Sequence, residues 1–251
     1  MAGVRVEQGR KRVRALVDGV AVVDTAVPRY VFEIPYYPTY YVPRADVRGE
    51  LVDTGRRETD EQRGEGHVLD LRAGERVLQG AVTAYPDSPV AELRDLVRLD
   101  WDAADEWLEE DEPIYFHPRS PYARIDVLAS SRHVRVEVDG TTVAESRQPR
   151  ILFETGLPPR YYLPMTDVRM DLLRPTATVT HCPYKGDASW WSVVLDGEAR
   201  EDLAWAYRSP FPEATRVQGL VAFYDEKVDL YLDGERQGGE RVPHARPAAA
   251  G

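Results

Sequence analysis

The sequence predicts an all-β protein built from two tandem antiparallel domains, each with one or two short helices. Three observations lead to this prediction. Asp-Gly pairs separate short, alternating, valine-rich runs, which is typical of β-hairpins because a type I′ turn needs positive φ at both central residues. A long block of sequence recurs without a gap after 121 residues. The only helix signals are short.

The composition indicates a globular chain. Of the 251 residues, 43% are hydrophobic and 10% aromatic, which is enough to build a core. The 43 acidic residues exceed the 32 basic ones, for a net charge of −11. Such a surface repels phosphate backbones and anionic lipid, so we expect no nucleic-acid or membrane partner.

Residue usage also suggests source and compartment. Three of the basic residues are lysine and 29 are arginine, which we interpret as GC-rich codon bias in a bacterial source. The single cysteine excludes an internal disulfide. No apolar run follows the N-terminal charges or approaches the length of a membrane helix, so we expect a cytoplasmic protein.

The first hairpin predicted along the chain spans residues 12–17 and 20–25, with its turn at Asp18-Gly19. The same unit returns at residues 133–146, with its turn at Asp139-Gly140. In the second copy, alternation places the three valines of the first strand on one buried face.

The repeat then continues at the same offset with more than ten identities, and such self-similarity takes precedence over other signals. The matching residues include Pro28 and Pro149, Phe32 and Phe153, Glu33 and Glu154, Tyr40-Tyr41 and Tyr161-Tyr162, Pro43 and Pro164, and Asp46 to Arg48 and Asp167 to Arg169. The chain is therefore interpreted as a tandem duplication.

The two copies diverge after this block. In the first copy, residues 53–66 are polar and charged, which predicts a surface loop. The Cys-Pro-Tyr-Lys-Gly segment at residues 182–186 has no evident counterpart in the first copy. Any chemistry is therefore expected in the second copy, with the first degenerate and structural or regulatory.

Further elements follow in both halves. Hairpin turns are predicted at Ala73-Gly74 and at Asp196-Gly197. Ser-Pro pairs precede two predicted short helices, at residues 90–97 and 211–218, since proline is tolerated in a first helical turn. Strands at residues 221–224 and 228–232 close the second copy.

An acidic, tryptophan-containing stretch ends the first copy. By periodicity, residues 101–112 form a short helix, whereas their equivalence to residues 225–233 suggests a strand; we favour the helix. Residues 117–128 link the copies. The predicted domains are 1–118 and 119–240, and the Pro- and Ala-rich tail at 241–251 is expected to be disordered.

These motifs resemble the DUF427 family. The resemblance rests on the duplicated Pro-Arg, Tyr-Tyr-x-Pro and Asp-Val-Arg pattern, on Thr-His-Cys-Pro-Tyr-Lys-Gly at 180–186, on Trp205-x-Tyr207 and on Pro-Phe-Pro at 210–212. It covers nearly the whole chain and implies a compact antiparallel fold of the Mss4-like, or β-tent, kind. Relatives of that fold often hold zinc between paired Cys-x-x-Cys motifs. Cys182 alone cannot form such a site, and no metal or organic cofactor is implied.

Two residues of the segment at 182–186 are candidate catalysts. Cys182 would be a nucleophile if His181 or Lys185 lowered its pKa, although free cysteines are usually buried and inert. In an extended strand His181 would point away from Cys182, which argues against a dyad. Lys185 would anchor an anionic ligand beside Gly186, or would balance nearby acidic residues, or would simply point to solvent.

Aromatic residues concentrate in the second copy, and alternation predicts that one of each adjacent pair faces inward. They would pack a core or line a ligand pocket. The leading hypothesis is a small-molecule-binding domain whose pocket is formed by Tyr162, Tyr184, Lys185, Trp190, Trp205 and Tyr207. The alternatives are an enzyme that uses Cys182 or Lys185, and an interaction scaffold that presents acidic residues 100–112 to a basic partner.

Overall fold

A computed structural model describes residues 3–34 and 37–237; the predicted disordered tail at 241–251 lies outside the described residues. The all-β prediction is confirmed. The chain forms two compact units, Met1–Ser120 and Pro121–Gly251, here called the first and second units. No helix in the described part of the chain is long and apolar enough to cross a membrane.

The first unit contains a seven-stranded and a four-stranded antiparallel sheet, ordered β1-β4-β5-β9-β8-β7-β6 and β11-β10-β2-β3. Short 3-10 turns occupy Arg44–Asp46, Ala91–Leu93 and Trp101–Ala103. The strands are β1 Arg5–Gln8, β2 Val13–Val17, β3 Val20–Thr25, β4 Arg29–Phe32, β5 Thr39–Pro43, β6 Glu50–Asp60, β7 Gly64–Ala73, β8 Arg76–Ala84, β9 Leu96–Leu99, β10 Glu106–Glu109 and β11 Glu112–Ile114.

The second unit repeats this topology in sheets ordered β12-β15-β16-β20-β19-β18-β17 and β14-β13-β21-β22. Its 3-10 turns are Met165–Asp167, Met170–Leu172 and Pro212–Val217. The strands are β12 Ile125–Ala129, β13 Val134–Val138, β14 Thr141–Ser146, β15 Arg150–Glu154, β16 Arg160–Pro164, β17 Leu173–Cys182, β18 Gly186–Leu195, β19 Glu198–Tyr207, β20 Leu220–Phe223, β21 Asp229–Leu232 and β22 Glu235–Arg236.

The Asp-Gly pairs form the hairpin turns that the sequence predicts. Asp18 and Gly19 have φ angles of 50° and 74°, and Asp139 and Gly140 have 48° and 76°. The turn at Asp196-Gly197, which joins β18 to β19, has the same signs. Both central residues therefore occupy the left-handed region that a type I′ turn requires.

Alternation along the strands divides the second unit's buried side chains between two clusters. Val134, Trp191 and Ala204 belong to a core that contains residues of both sheets. Tyr162 and Trp205 belong to a second cluster, on the opposite face of the seven-stranded sheet. This second face carries the candidate site.

The prediction of a surface loop at residues 53–66 is wrong. Residues 50–60 form the edge strand β6, which pairs with β7 in the register Arg57 to His67. Most of β6 is exposed because it has a neighbour on one side only, and a bulge interrupts its pairing between Asp53 and Arg57. Charged residues and bulges are common protections of an edge strand, so its polarity resembles that of a loop.

Two predicted helices are also wrong. Within residues 101–112, only Trp101–Ala103 forms a 3-10 turn, and Glu106–Glu109 is strand β10, paired with β2. The equivalence of the repeats, rather than the helical periodicity, gave the correct assignment. Within residues 90–97, Ala91–Leu93 is a 3-10 turn and the rest leads into β9. Pairing with neighbouring strands outweighs the local helix signals in both places.

Candidate functional site

The candidate site lies over the middle of the second unit's seven-stranded sheet. Four residues stand in register across neighbouring strands, because Tyr162 pairs with Ala222, Ala222 with Trp205, and Trp205 with Trp190. The short side chain of Ala222 is fully buried between large aromatic neighbours. A cavity of about 260 Å³ lies among Tyr162, Trp190 and Trp205, and its lining also includes Leu152, Glu154, Arg160, Cys182, Lys185 and Tyr207.

Three aromatic rings form one wall of this cavity. The ring centroids of Trp190 and Trp205 are 5.2 Å apart, and that of Tyr224 lies 6.1 Å from each. Trp190 donates its indole N–H to the Thr180 hydroxyl at 2.8 Å, which fixes the ring's orientation. The wall therefore offers a largely apolar, preformed surface to a flat molecule.

A buried ion pair lies in the same cavity. The Lys185 ammonium donates to Oε2 of Glu154, and the two side chains are only 11% and 10% exposed. Burial acts to lower the pKa of Lys185, but the neighbouring Cys182 and Glu154 raise it, so the net pKa lies above the ordinary value. Lys185 is therefore a buried cation that is paired with an acidic residue, as one alternative predicted; the alternative in which it points to solvent is wrong.

Two tyrosine hydroxyls also point to this region. Burial raises the pKa of Tyr162 to about 12 and that of Tyr207 well above its ordinary value. The Tyr162 hydroxyl accepts a 3.3 Å hydrogen bond from the indole N–H of Trp205. Both hydroxyls remain protonated at neutral pH and can act as donors.

Arg160 lies at the side of the cavity and was not singled out in the sequence. It makes a bidentate bond to Glu226, at 3.0 and 2.6 Å, and approaches Asp225 at 3.4 Å. Its guanidinium carbon lies 5.9 Å from the Trp205 ring centroid. Since Arg160 precedes Tyr162 by two positions on β16, strand alternation alone could have placed both on one face.

One residue of the predicted ligand-binding set, Tyr184, lies outside the cavity lining. Tyr184 sits in the β17–β18 turn and is not among the described residues that line the cavity. The His181 imidazole is turned to the exposed Asp187, at 2.5 Å, while Cys182 lines the cavity. His181 and Cys182 thus face opposite ways along the strand, and no dyad forms between them.

The first unit contains a counterpart of this site that the sequence comparison missed. Asp60 pairs with Gly64 as Cys182 pairs with Gly186, so the two hairpin turns are equivalent. Arg63 therefore occupies the position of Lys185. The prediction that the first copy has no counterpart of residues 182–186 is therefore wrong in structural terms. Residues 60–64 form the equivalent turn, although only its final glycine is identical.

Arg63 uses its guanidinium to fill the equivalent space. It donates to Glu33, to the Tyr41 hydroxyl at 2.9 Å and to Asp60 at 2.8 Å. Tyr41 in turn donates to Glu33 at 2.7 Å. The equivalent tyrosine of the second unit, Tyr162, makes no such bond to its glutamate among the described contacts.

A second arginine, Arg98, occupies part of the equivalent space in the first unit. Val97 pairs with Val42 on β5, as Val221 pairs with Leu163 on β16, so Arg98 takes the place of Ala222. Its guanidinium lies 3.6 Å from Glu33. The first unit thus has a long charged side chain at the position of the short Ala222.

Comparison with known proteins gives one family. The sequence profile described as "Domain of unknown function (DUF427)" matches residues 5–110 and again residues 126–234. A search of curated proteins finds no match to the chain. Among residues 3–34 and 37–237, no group of three or more His, Cys, Asp and Glu side chains is placed to hold a metal ion.

Proposed function

The chain belongs to the DUF427 family, with one family domain in each half, and we propose that the second unit is a binding domain for a small organic molecule. The site is the cavity lined by Tyr162, Trp190 and Trp205. The first unit has the same framework with its equivalent space filled, and it serves a structural role. The function is therefore carried by one of two copies.

One observation carries this proposal: the cavity combines an aromatic wall with a few buried polar groups. Trp190, Trp205 and Tyr224 supply the apolar surface, while Lys185 and Glu154 supply polar groups. Ligand sites commonly consist of a mostly apolar concavity with a small number of fixed polar groups. In the first unit, the side chains of Arg63 and Arg98 occupy the equivalent space. The cavity is therefore a property of the second copy and not of the shared fold.

The contacts favour binding over catalysis by Lys185. Its pKa is raised, so it cannot accept a proton at neutral pH, and its pairing with Glu154 hinders nucleophilic attack. An acidic docking face at residues 100–112 is also less favoured, because several of these acids have internal partners. Glu109 pairs with Lys11, and Asp111 with Arg14.

A screen of one- and two-ring aromatic compounds by saturation-transfer NMR tests the proposal on the full chain. We expect hits that lose their signal in Cys182→Phe, because Cys182 lines the cavity and the added ring occupies it. The matched control is Tyr231→Ala, which removes an aromatic ring from the four-stranded sheet of the same unit. This control should bind the same hits as the unaltered protein.

Two results would count against the proposal. A screen without hits would remove the small-molecule function. Hits that survive in Cys182→Phe but disappear in Tyr231→Ala would place binding on another surface. Circular dichroism of each variant establishes that the fold is retained before the binding result is read.

A further inference from the structure

We infer that the ligand of this cavity is a neutral, flat heteroaromatic compound of one or two rings, with an N–H and a C=O group side by side on one edge. The inference rests on the proposed function, because it names a ligand class for the same site. It is argued from four properties of the cavity: its size, its unused donors, its unused acceptor and its charge.

The size and walls select a flat ligand. An apolar cavity of about 150 Å³ holds a benzene molecule, and the volume here is about 260 Å³. One ring or two fused rings therefore fit. The tilted pair of Trp190 and Trp205 rings, at an interplanar angle of 37°, and the nearby Tyr224 provide surfaces for ring contacts.

The cavity contains hydrogen-bond donors that no described residue uses. Tyr207 lines it, is only 6% exposed, and its hydroxyl bonds to none of the described residues. The Tyr162 hydroxyl accepts from Trp205 and keeps its own proton to donate. Of the three donors of the Lys185 ammonium, Glu154 takes one. All three donors line the cavity, so together they favour a ligand carbonyl that accepts from them.

The same cavity holds one unused acceptor. Oε2 of Glu154 accepts from Lys185, whereas Oε1 has no hydrogen-bond partner among the described residues. A carboxylate oxygen accepts from an N–H and repels a carbonyl. An acceptor beside several donors therefore matches a ligand edge in which N–H and C=O are adjacent.

The charge of the site favours a neutral compound. Lys185 and Glu154 neutralise each other, and Arg160 is already bonded to Glu226 in bidentate fashion. A charged ligand buried here would lack a free counter-ion, and an unpaired buried charge is strongly unfavourable. The polar edge is thus expected to carry a lactam-like amide rather than a carboxylate or an ammonium.

The first unit shows which shape of group the equivalent space accepts. The guanidinium of Arg63 is a flat cation, lies 5.0 Å from the Tyr85 ring centroid, and donates an N–H to Glu33. Tyr85 and Glu33 are the counterparts of Tyr207 and Glu154. A flat N–H-bearing group is therefore what this framework encloses when the chain itself fills the space.

Isothermal titration calorimetry of the full chain with four probes tests the inference. The probes are 2-quinolinone, its 1-methyl derivative, quinoline and 2-naphthoate, which respectively present the complete edge, the carbonyl alone, neither group and an anion. We expect 2-quinolinone to bind at least about 10-fold more tightly than each of the others, because each leaves a buried polar group unpaired.

The variant Tyr207→Phe probes the carbonyl contact directly. It should weaken 2-quinolinone by about 3- to 10-fold and affect quinoline less, since quinoline lacks the carbonyl group that accepts from this hydroxyl. Its matched control is Tyr85→Phe in the first unit, for which we expect no change with either probe. Equal effects of Tyr207→Phe on both probes would overturn the assignment of the donor.

The outcomes separate this inference from the proposed function. If quinoline binds as tightly as 2-quinolinone and both are lost in Cys182→Phe, the ligand class is wrong and the binding function stands. Tighter binding of 2-naphthoate would likewise overturn the neutral class. If none of the four probes binds and the broader aromatic screen is also empty, both proposals fail.

Discussion

At the scale of the residue, Lys185 and Arg63 show how one position can either leave a cavity open or fill it. The ammonium of Lys185 satisfies one oxygen of Glu154, whereas the larger guanidinium of Arg63 reaches Glu33, Tyr41 and Asp60 together. The sequence identified Lys185 as a candidate site residue because it lies in the segment at residues 182–186. Its burial could not be predicted, because its partner lies 31 residues away on another strand.

The Lys185–Glu154 pair predicts a distinctive pattern of stabilities. Lys185→Met leaves a buried carboxylate without its counter-ion, which costs about 3–5 kcal/mol. The double variant Lys185→Met/Glu154→Gln removes both charges and should regain most of that loss. Urea unfolding followed by tryptophan fluorescence measures both; a double variant no more stable than the single one would show that the unpaired carboxylate does not cause the loss.

Asp225 predicts a pH dependence of stability. Burial raises its pKa to about 7, although Arg160 acts to lower it, while an aspartate in an unfolded chain titrates near 3.9. Between these values the folded protein holds a proton that the unfolded chain has released. The free energy of unfolding contributed by this group therefore falls as pH rises from about 4 to 7, by about 2–4 kcal/mol.

The variant Asp225→Asn isolates this effect. It cannot ionise, so its melting temperature should exceed that of the unaltered protein at pH 8, and the difference should shrink towards pH 5. One oxygen of Asp225 is buried without a hydrogen-bond partner, which agrees with a penalty for the ionised form. Parallel melting curves across this pH range would contradict the assignment.

At the scale of the element, local turn chemistry was the most informative part of the sequence. The Asp-Gly turns were predicted because two consecutive positive φ angles restrict the choice of residue. The loop at 53–66 and the helices at 90–97 and 101–112 were predicted wrongly, since strand pairing with distant partners decides those segments. The register that aligns Tyr162, Ala222 and Trp205 has the same non-local origin.

The hairpin at Asp139-Gly140 offers a test at this scale. Gly140 has φ of 76°, which a β-branched side chain adopts only with strain. Gly140→Val should lower the free energy of unfolding by about 1–2 kcal/mol, whereas Gly140→Asn should cost less because asparagine tolerates the left-handed region. Thermal denaturation compares the two; equal melting temperatures would show that the turn does not constrain the hairpin.

At the scale of the whole molecule, duplication has produced one open and one filled version of the same framework. The repeat could be recognised from identities such as Glu33 and Glu154, and it predicted two similar all-β domains. The aromatic set predicted most of the cavity wall. The equivalence of Arg63 with Lys185, and of Arg98 with Ala222, required the strand register, because those stretches share little sequence.

The central claim is that the second unit binds a flat ligand beside Trp190 and Trp205 while the first unit does not. Its most direct test is NMR of the full chain with 15N-labelled tryptophan indoles, titrated with 2-quinolinone. We predict saturable shifts of the Trp190 and Trp205 indole N–H signals, with those of Trp101 and Trp107 unchanged. Absence of a saturable shift, or shifts confined to Trp101 and Trp107, would contradict the account.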